Sequence, residues 1–407
     1  VAVTDPTPIR GLLAAATATL LGQASAEDYA NDWTVNLAFL NYYEPERVNV
    51  RSTQVNTSGQ ISDDARIRAG LVLDSMTGAT PSGAVEGANV VSNSGTSGGG
   101  FDVDGGSSST SEFDDTRLAV DLGWEQSYGR MVRINYGAYA SVEHDFVALG
   151  SSVQGDLDLN NRNTTLTLGL GVETDEAGQR DGSTPEPLSN VDDQSFYGQG
   201  ERNTYDALVG ITQVIDRRTI AQIDYSYSLS LGYHNDPYKV FSRADSDDVE
   251  AERYYEARPD SRQRHSLFGS MRRQRDNGDI VGSSLSFYGD DWGVFGATID
   301  SSYRQHLESG RGHFVEPYGR LHYQTAADFY LRSLGMDDDL PEFASADSRL
   351  SEMLALTLGL KYSQPLRDWG VLQVRSSYYY QYLIDAVQDG NQAVTFQLGF
   401  EFGERYR

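Results

Sequence analysis

Apolar and polar residues alternate along most of this chain. Val394, Phe396, Leu398, Phe400 and Phe402 fall on one parity, with Thr395, Gln397, Gly399 and Glu401 on the other. Leu354, Leu356, Leu358 and Leu360 oppose Thr357, Gly359 and Lys361, and Leu166, Leu168, Leu170 and Val172 oppose Thr165, Thr167, Gly169 and Glu173. Side chains alternate across a strand, so each such segment has one apolar and one polar face. The pattern predicts strands near 32–43, 47–56, 64–75, 115–127, 130–143, 146–158, 163–174, 203–215, 218–231, 263–274, 279–289, 292–306, 312–323, 349–363, 369–383 and 391–404. That is about sixteen, an even number, as in bacterial single-chain barrels.

A soluble sandwich and a membrane barrel both alternate. Three features favour the barrel. Many segments exceed ten residues, the length a tilted strand needs to cross a bilayer. The polar faces carry charge and glycine instead of a second apolar set. Aromatics gather near strand ends, at Tyr42-Tyr43, Tyr225/Tyr227 and Tyr378-Tyr379-Tyr380, as an aromatic girdle would. On this register Arg133, Arg375, Glu173, Glu401 and one of Arg272 and Arg273 face the lumen. The expected fold is all-β: a transmembrane antiparallel β-barrel over 27–407, after a cleaved signal peptide over 1–26. The signal reading rests on Arg10, the run Gly11–Leu21 and the small residues Ala24-Ser25-Ala26.

The long connections 76–114, 175–202, 232–262 and 324–348 follow the third, seventh, ninth and thirteenth strands, so all four fall at one end. With the N-terminus in the periplasm they are external, and the periplasmic turns are short. The location this implies is the outer membrane of a Gram-negative bacterium, facing lipid and lipopolysaccharide. The C-terminal alternating aromatics resemble the closing strand read by the barrel-assembly machinery, although a terminal Phe is missing.

Composition narrows the function classes. There is no Cys, which removes disulfides and thiol chemistry. A net charge of -27 argues against nucleic acid as a partner. No nucleotide loop, nucleophile triad or compact metal-ligand spacing appears, so neither an enzyme nor a metal site is expected. His306, His313 and His322 are candidates to approach one another across a hairpin, and His144 sits at a predicted turn. The acidic clusters Gly98–Gly106, Asp245–Asp248, Asp290-Asp291 and Asp337–Asp339 read as solvated loop charge, with cation-bridged lipopolysaccharide contact as the alternative.

Several stretches together resemble the domain-of-unknown-function 3570 family of predicted outer-membrane barrels. They are Asp74–Ala84, Phe113–Arg117, Ser141–Phe146, Phe287–Trp292, Tyr303–Gln305, Tyr323–Tyr330 and Ser345–Ser351. The family implies gene neighbourhoods with an ApbE-type flavin transferase and a small lipoprotein. Asp74-Ser75-Met76-Thr77-Gly78-Ala79-Thr80 also resembles the acceptor motif of those transferases. By that resemblance Thr80 would carry covalent FMN, with Asp74, Gly78 and Ala79 as recognition positions. The plain alternative is a strand exit, since Gly78, Pro81 and Gly83 break strands. Three roles follow: a scaffold or conduit in an envelope flavin-linked electron-transfer system, a porin or small-solute channel, or a structural or adhesive surface barrel.

Overall fold

The computed structural model describes residues 33–403 except 46, 82–109, 179–182, 199, 246–249, 308–311, 367–369 and 387–389. The signal segment, the Gly98–Gly106 loop, most of the Asp245–Asp248 cluster and the residues after 403 lie outside the described residues.

Sixteen strands close into one antiparallel ring. In chain order they begin with β1 (Thr34–Tyr43), β2 (Val48–Ser62), β3 (Ala65–Pro81), β4 (Thr110–Tyr128), β5 (Val132–Val142), β6 (Phe146–Leu159) and β7 (Thr164–Ala177). Two short strands, β8 (Thr184–Pro185) and β9 (Phe196–Tyr197), pair with each other outside the ring. The ring resumes with β10 (Gly200–Asp216) and β11 (Thr219–Gly232). It leaves again for β12 (Val240–Ala244) and β13 (Glu250–Tyr255), and returns at β14 (Ser261–Gln274), β15 (Ile280–Asp290), β16 (Phe295–His306) and β17 (Phe314–Gln324). After β18 (Leu334–Gly335) come β19 (Glu352–Pro365), β20 (Gly370–Ile384) and β21 (Gly390–Gly403), which pairs with β1 and closes the barrel.

Closure leaves the ring without a first or last edge and satisfies the backbone within it, as a spanning sheet requires. The apolar parity faces outward: Leu122, Leu149, Leu168, Leu170, Ile223, Ile299 and Leu358 are all more than half exposed. Against water this surface would be untenable; against lipid it is the required one. The polar parity faces in, where Asp156, Asp175, Thr204, Asp206, Ser228 and Ser230 are buried. Arg133, Glu173, Arg272, Arg375 and Glu401 hold this inward parity. The aromatic expectation needs one correction. Tyr43, Tyr378 and Tyr380 face outward, but Tyr42 and Tyr379 point inward and pack with Ala355 and Ala393.

The two ends differ as the chain pattern requires. Short turns join β2–β3, β4–β5, β6–β7, β10–β11 and β14–β15, while the four long connections share the opposite rim. At that rim the loops are more ordered than alternation alone suggests. β12, β13 and β18 form a three-stranded sheet drawn from two different connections, joined by the parallel pairing of Arg243 with Leu334 and Ala244 with Gly335. Isolated bridges Asn190↔Tyr254, Ala257↔Ala344 and Tyr330↔Ser345 bring in the connection after β7. Three loops thus fold together as a cap, around Phe241, Ala344 and Ala346.

Candidate functional site

The motif segment is not the turn that Gly78 and Pro81 suggested. β3 runs on to Pro81, with Gly78 opposite Phe113, Thr80 opposite Ser111 and Pro81 opposite Thr110. Two segments that each read as loop satisfy one another as a ladder, which local propensity does not reveal. β2 accompanies β3 only as far as Gly78, and β5 accompanies β4 only from Leu118. The β3–β4 arm therefore rises past its neighbours. The side chains of Gly78, Ala79 and Thr80 lie outside the described residues.

Asp74 is described, and it is occupied. Its carboxylate accepts Arg117 Nε at 2.8 Å and Nη2 at 2.5 Å across the β3–β4 ladder. The same guanidinium lies 4.0 Å from Glu143, in the turn after β5. Burial, then the nearby Asp115 carboxylate, pushes Glu143 up to about 7, against the opposing pull of Arg117. One guanidinium is thus set among several carboxylates. Three of the stretches that carry the family resemblance, Asp74–Ala84, Phe113–Arg117 and Ser141–Phe146, meet here.

The cap holds a second constellation, which sequence reasoning missed. Arg258 binds Glu256 at 2.8 Å and Asp347 at 2.8 Å. Arg349 binds Asp347 at 2.5 Å and Asp236 at 2.7 Å. Ser345 Oγ donates to Glu256, and Lys239 is buried among the same carboxylates. Three acids and three bases share one site, four of them buried, Arg258 nearly so and Arg349 partly open to solvent, so charge is balanced where burying a member alone would be costly. Burial pushes Asp347 up, but Arg349, Arg258 and Lys239 together hold it well below the usual carboxylate range. Burial also pushes Lys239 down. A usable signal was present: acid and base two or three residues apart in Asp236/Lys239, Glu256/Arg258 and Asp347/Arg349, beside apolar Phe241 and Ala344.

Other expected residues fall elsewhere. Asp290 is not solvated loop charge: its side chain is fully buried, takes Arg262 at 2.6 Å, and accepts the Trp292 and Val294 amides. Arg262 also stacks on Trp292, which packs edge-on against Phe329. Asp337, Asp338 and Asp339 are exposed as expected. His306 and His313 lie near one turn, but His322 pairs with Thr298 well along β16 and β17, so the three do not converge. His144 is exposed beside Asp145. Among the described residues no group of His, Asp or Glu is arranged to hold a metal.

A family model described as a protein of unknown function (DUF3570) matches residues 10–402. The chain belongs to that family. Among DUF3570 stretches, Asp74–Ala84, Phe113–Arg117 and Ser141–Phe146 build the Asp74–Arg117–Glu143 group, Ser345–Ser351 supplies Asp347 and Arg349 to the cap network, and Tyr238 of the cap donates to Asp145 between them. No curated protein matches the chain. Among solved structures it is similar to a bacterial polysaccharide outer membrane secretin, at 12% identity over 92% of this chain and 100% of that one, TM-score 0.47. CdiB from Acinetobacter baumannii matches at 6% identity over 91% of this chain and 60% of its own, TM-score 0.48. Pseudomonas aeruginosa OccK5 (OpdH) matches at 8% identity over 92% and 97%, TM-score 0.43.

Proposed function

We propose that this protein is an outer-membrane conduit for small polar solutes, with its capped rim outside the cell. The observation that carries the reading is the inward face of the closed ring. It is lined by Asp, Glu, Arg, Ser and Thr, whereas a purely structural barrel of this size needs only packing there. The cap, locked by balanced charge, sits where a conduit needs a gate or filter. The test is planar-bilayer recording of the purified full chain beside Arg349→Ala, which unpairs the cap. Discrete conductance steps, enlarged or more frequent in the variant, are expected. Silence from both proteins would sink the reading.

A flavin-linked scaffold is the second reading, favoured by one observation. The β3–β4 ladder continues past Arg117, where its pairing with β5 ends at Leu118. Against it, Asp74 is taken by Arg117 and the Thr77–Pro81 backbone is paired. Attachment of FMN to Thr80 would therefore precede strand pairing in the periplasm. Co-expression with an ApbE-type transferase is expected to give a covalently fluorescent band that Thr80→Val abolishes; no band with the native chain excludes this role.

A further inference from the structure

The inward face is not uniform around the ring. On β6, β7, β10 and β11 it carries Asp156, Asp158, Glu173, Asp175, Asp206 and Asp224. Arg133 answers Asp158 and Arg202 answers Asp175; among the described residues no basic side chain is bonded to the other four, although Arg264 lies in the same row as Asp206. Thr167 and Gln154 donate to Asp156, and Gln222 donates to Asp224. β6 and β7 lie across the ring from β19 and β20, where Lys361 and Arg375 face in.

The hydrogen bonding along the acidic wall is incomplete in one sense only. Gln154 Oε1, Asp175 Oδ1 and Gln222 Oε1 are buried without a donor, and the buried Asp206 carboxylate has only the Ser228 hydroxyl across the ladder, outside ideal hydrogen-bond geometry. Every one is an acceptor. Asp206 is 4% exposed; its row holds Gly171 and Ser152 on one side and Ser228 on the other, with Arg264 beyond it donating to the Ser228 hydroxyl. Lower down, Asp224 leans over Gly210 toward Thr167, whose hydroxyl already serves Asp156; a Cβ at Gly210 would collide with that carboxylate. The oxygens thus form a staggered file from Asp156 near the short-turn end to Asp175 near the cap. Buried acceptors are ordinarily partnered, so a file of under-partnered ones calls for something electropositive to supply the missing contacts. No compact chelating group is present among the described residues, which disfavours a fixed divalent ion. Several weak oxygen sites in series suit an ion that must also leave.

We infer that the β6–β7–β10–β11 wall is a track for small monovalent cations, with the opposite basic wall excluding them from the rest of the lumen. This rests on the conduit reading, and the test separates the two. Full-length protein in planar bilayers is held in a KCl gradient, and the permeability ratio of potassium to chloride is read. The native ratio should exceed about fivefold. Asp206→Asn with Asp224→Asn should bring it toward one, while Arg375→Gln should leave or raise it. Heat-modifiable gel mobility confirms that each variant is a folded barrel, and Asp206→Asn alone serves if the double variant is not. A native ratio at or below one, or a ratio unchanged in the folded variant, overturns the track while the conduit stands. Absence of any conductance overturns both.

Discussion

Arg117 stands between a carboxylate on the neighbouring strand and one in the next turn. Asp74 takes its two nitrogens, and Glu143 remains at 4.0 Å, buried and held up to about 7. The sign of the pH effect follows. A carboxyl raised above its unfolded value stabilises the fold fully below about pH 4.3 and loses that contribution as pH rises through about 7. The rim should therefore soften between pH 5 and 8, seen as a falling temperature for the heat-modifiable gel shift. Glu143→Gln should flatten that fall, and an unchanged slope would refute the assignment. Gly359 makes a separate point at this scale. Tyr318 lies over it, and Arg375 caps the ring at 4.3 Å while donating to its hydroxyl at 2.7 Å. Gly359→Ala should displace the ring and cost about 1–3 kcal/mol by overpacking, read as a lower unfolding temperature.

At the scale of elements, the cap and the ring are stabilised differently. The ring is continuous ladder; the cap is short strands around Phe241 and Ala344, tied by six charged side chains. Removing one member of a buried network leaves its partners uncompensated and costs about 3–5 kcal/mol. Asp347→Ala should remove the carboxylate that Arg258, Arg349 and Lys239 share, leaving excess buried positive charge, so that trypsin cuts within 233–260 while the strands stay resistant. Equal resistance in native and variant protein would show that the network does not hold the cap. Acidification acts in the same direction: Asp347 is held low, so its contribution is present above about pH 3.9 and fails as pH falls below that.

For the whole molecule, lipid outside and charge inside fix the register. Leu168→Arg, on the outer face of β7, should cost roughly 2–4 kcal/mol near the bilayer midplane, while Thr167→Ser one residue away should be nearly silent. Refolding into vesicles measures both. This alternation is why so much of the ring was legible in the sequence. A one-residue slip would turn Leu166 to Leu170 inward, so periodicity identifies strand and face at once. The segregation of long loops to one rim followed from the same strands. Residues Thr77–Pro81 and Thr110–Asp114 were not legible as strand, because each is a poor strand alone and is held by the other. The cap was illegible for a related reason: Asp236, Glu256 and Asp347 acquire meaning only when separate loops meet. The motif around Asp74 was visible, but not that Arg117 would claim it.

β1 and β21 meet along the closing seam, from Thr34 opposite Gly403 to Tyr43 opposite Val394. Every other ring pairing joins consecutive staves, so this contact has by far the longest reach in sequence. Local hairpins form early and distant pairings late. The cap draws on connections between β7 and β19, all of which precede β21. The order of events is then set by the chain: the roof can be laid on an open, curling sheet before the cylinder is shut. A chain stalled short of β21 should carry a protease-resistant cap while both outer staves remain unpaired, a snapshot of the barrel one seam from completion.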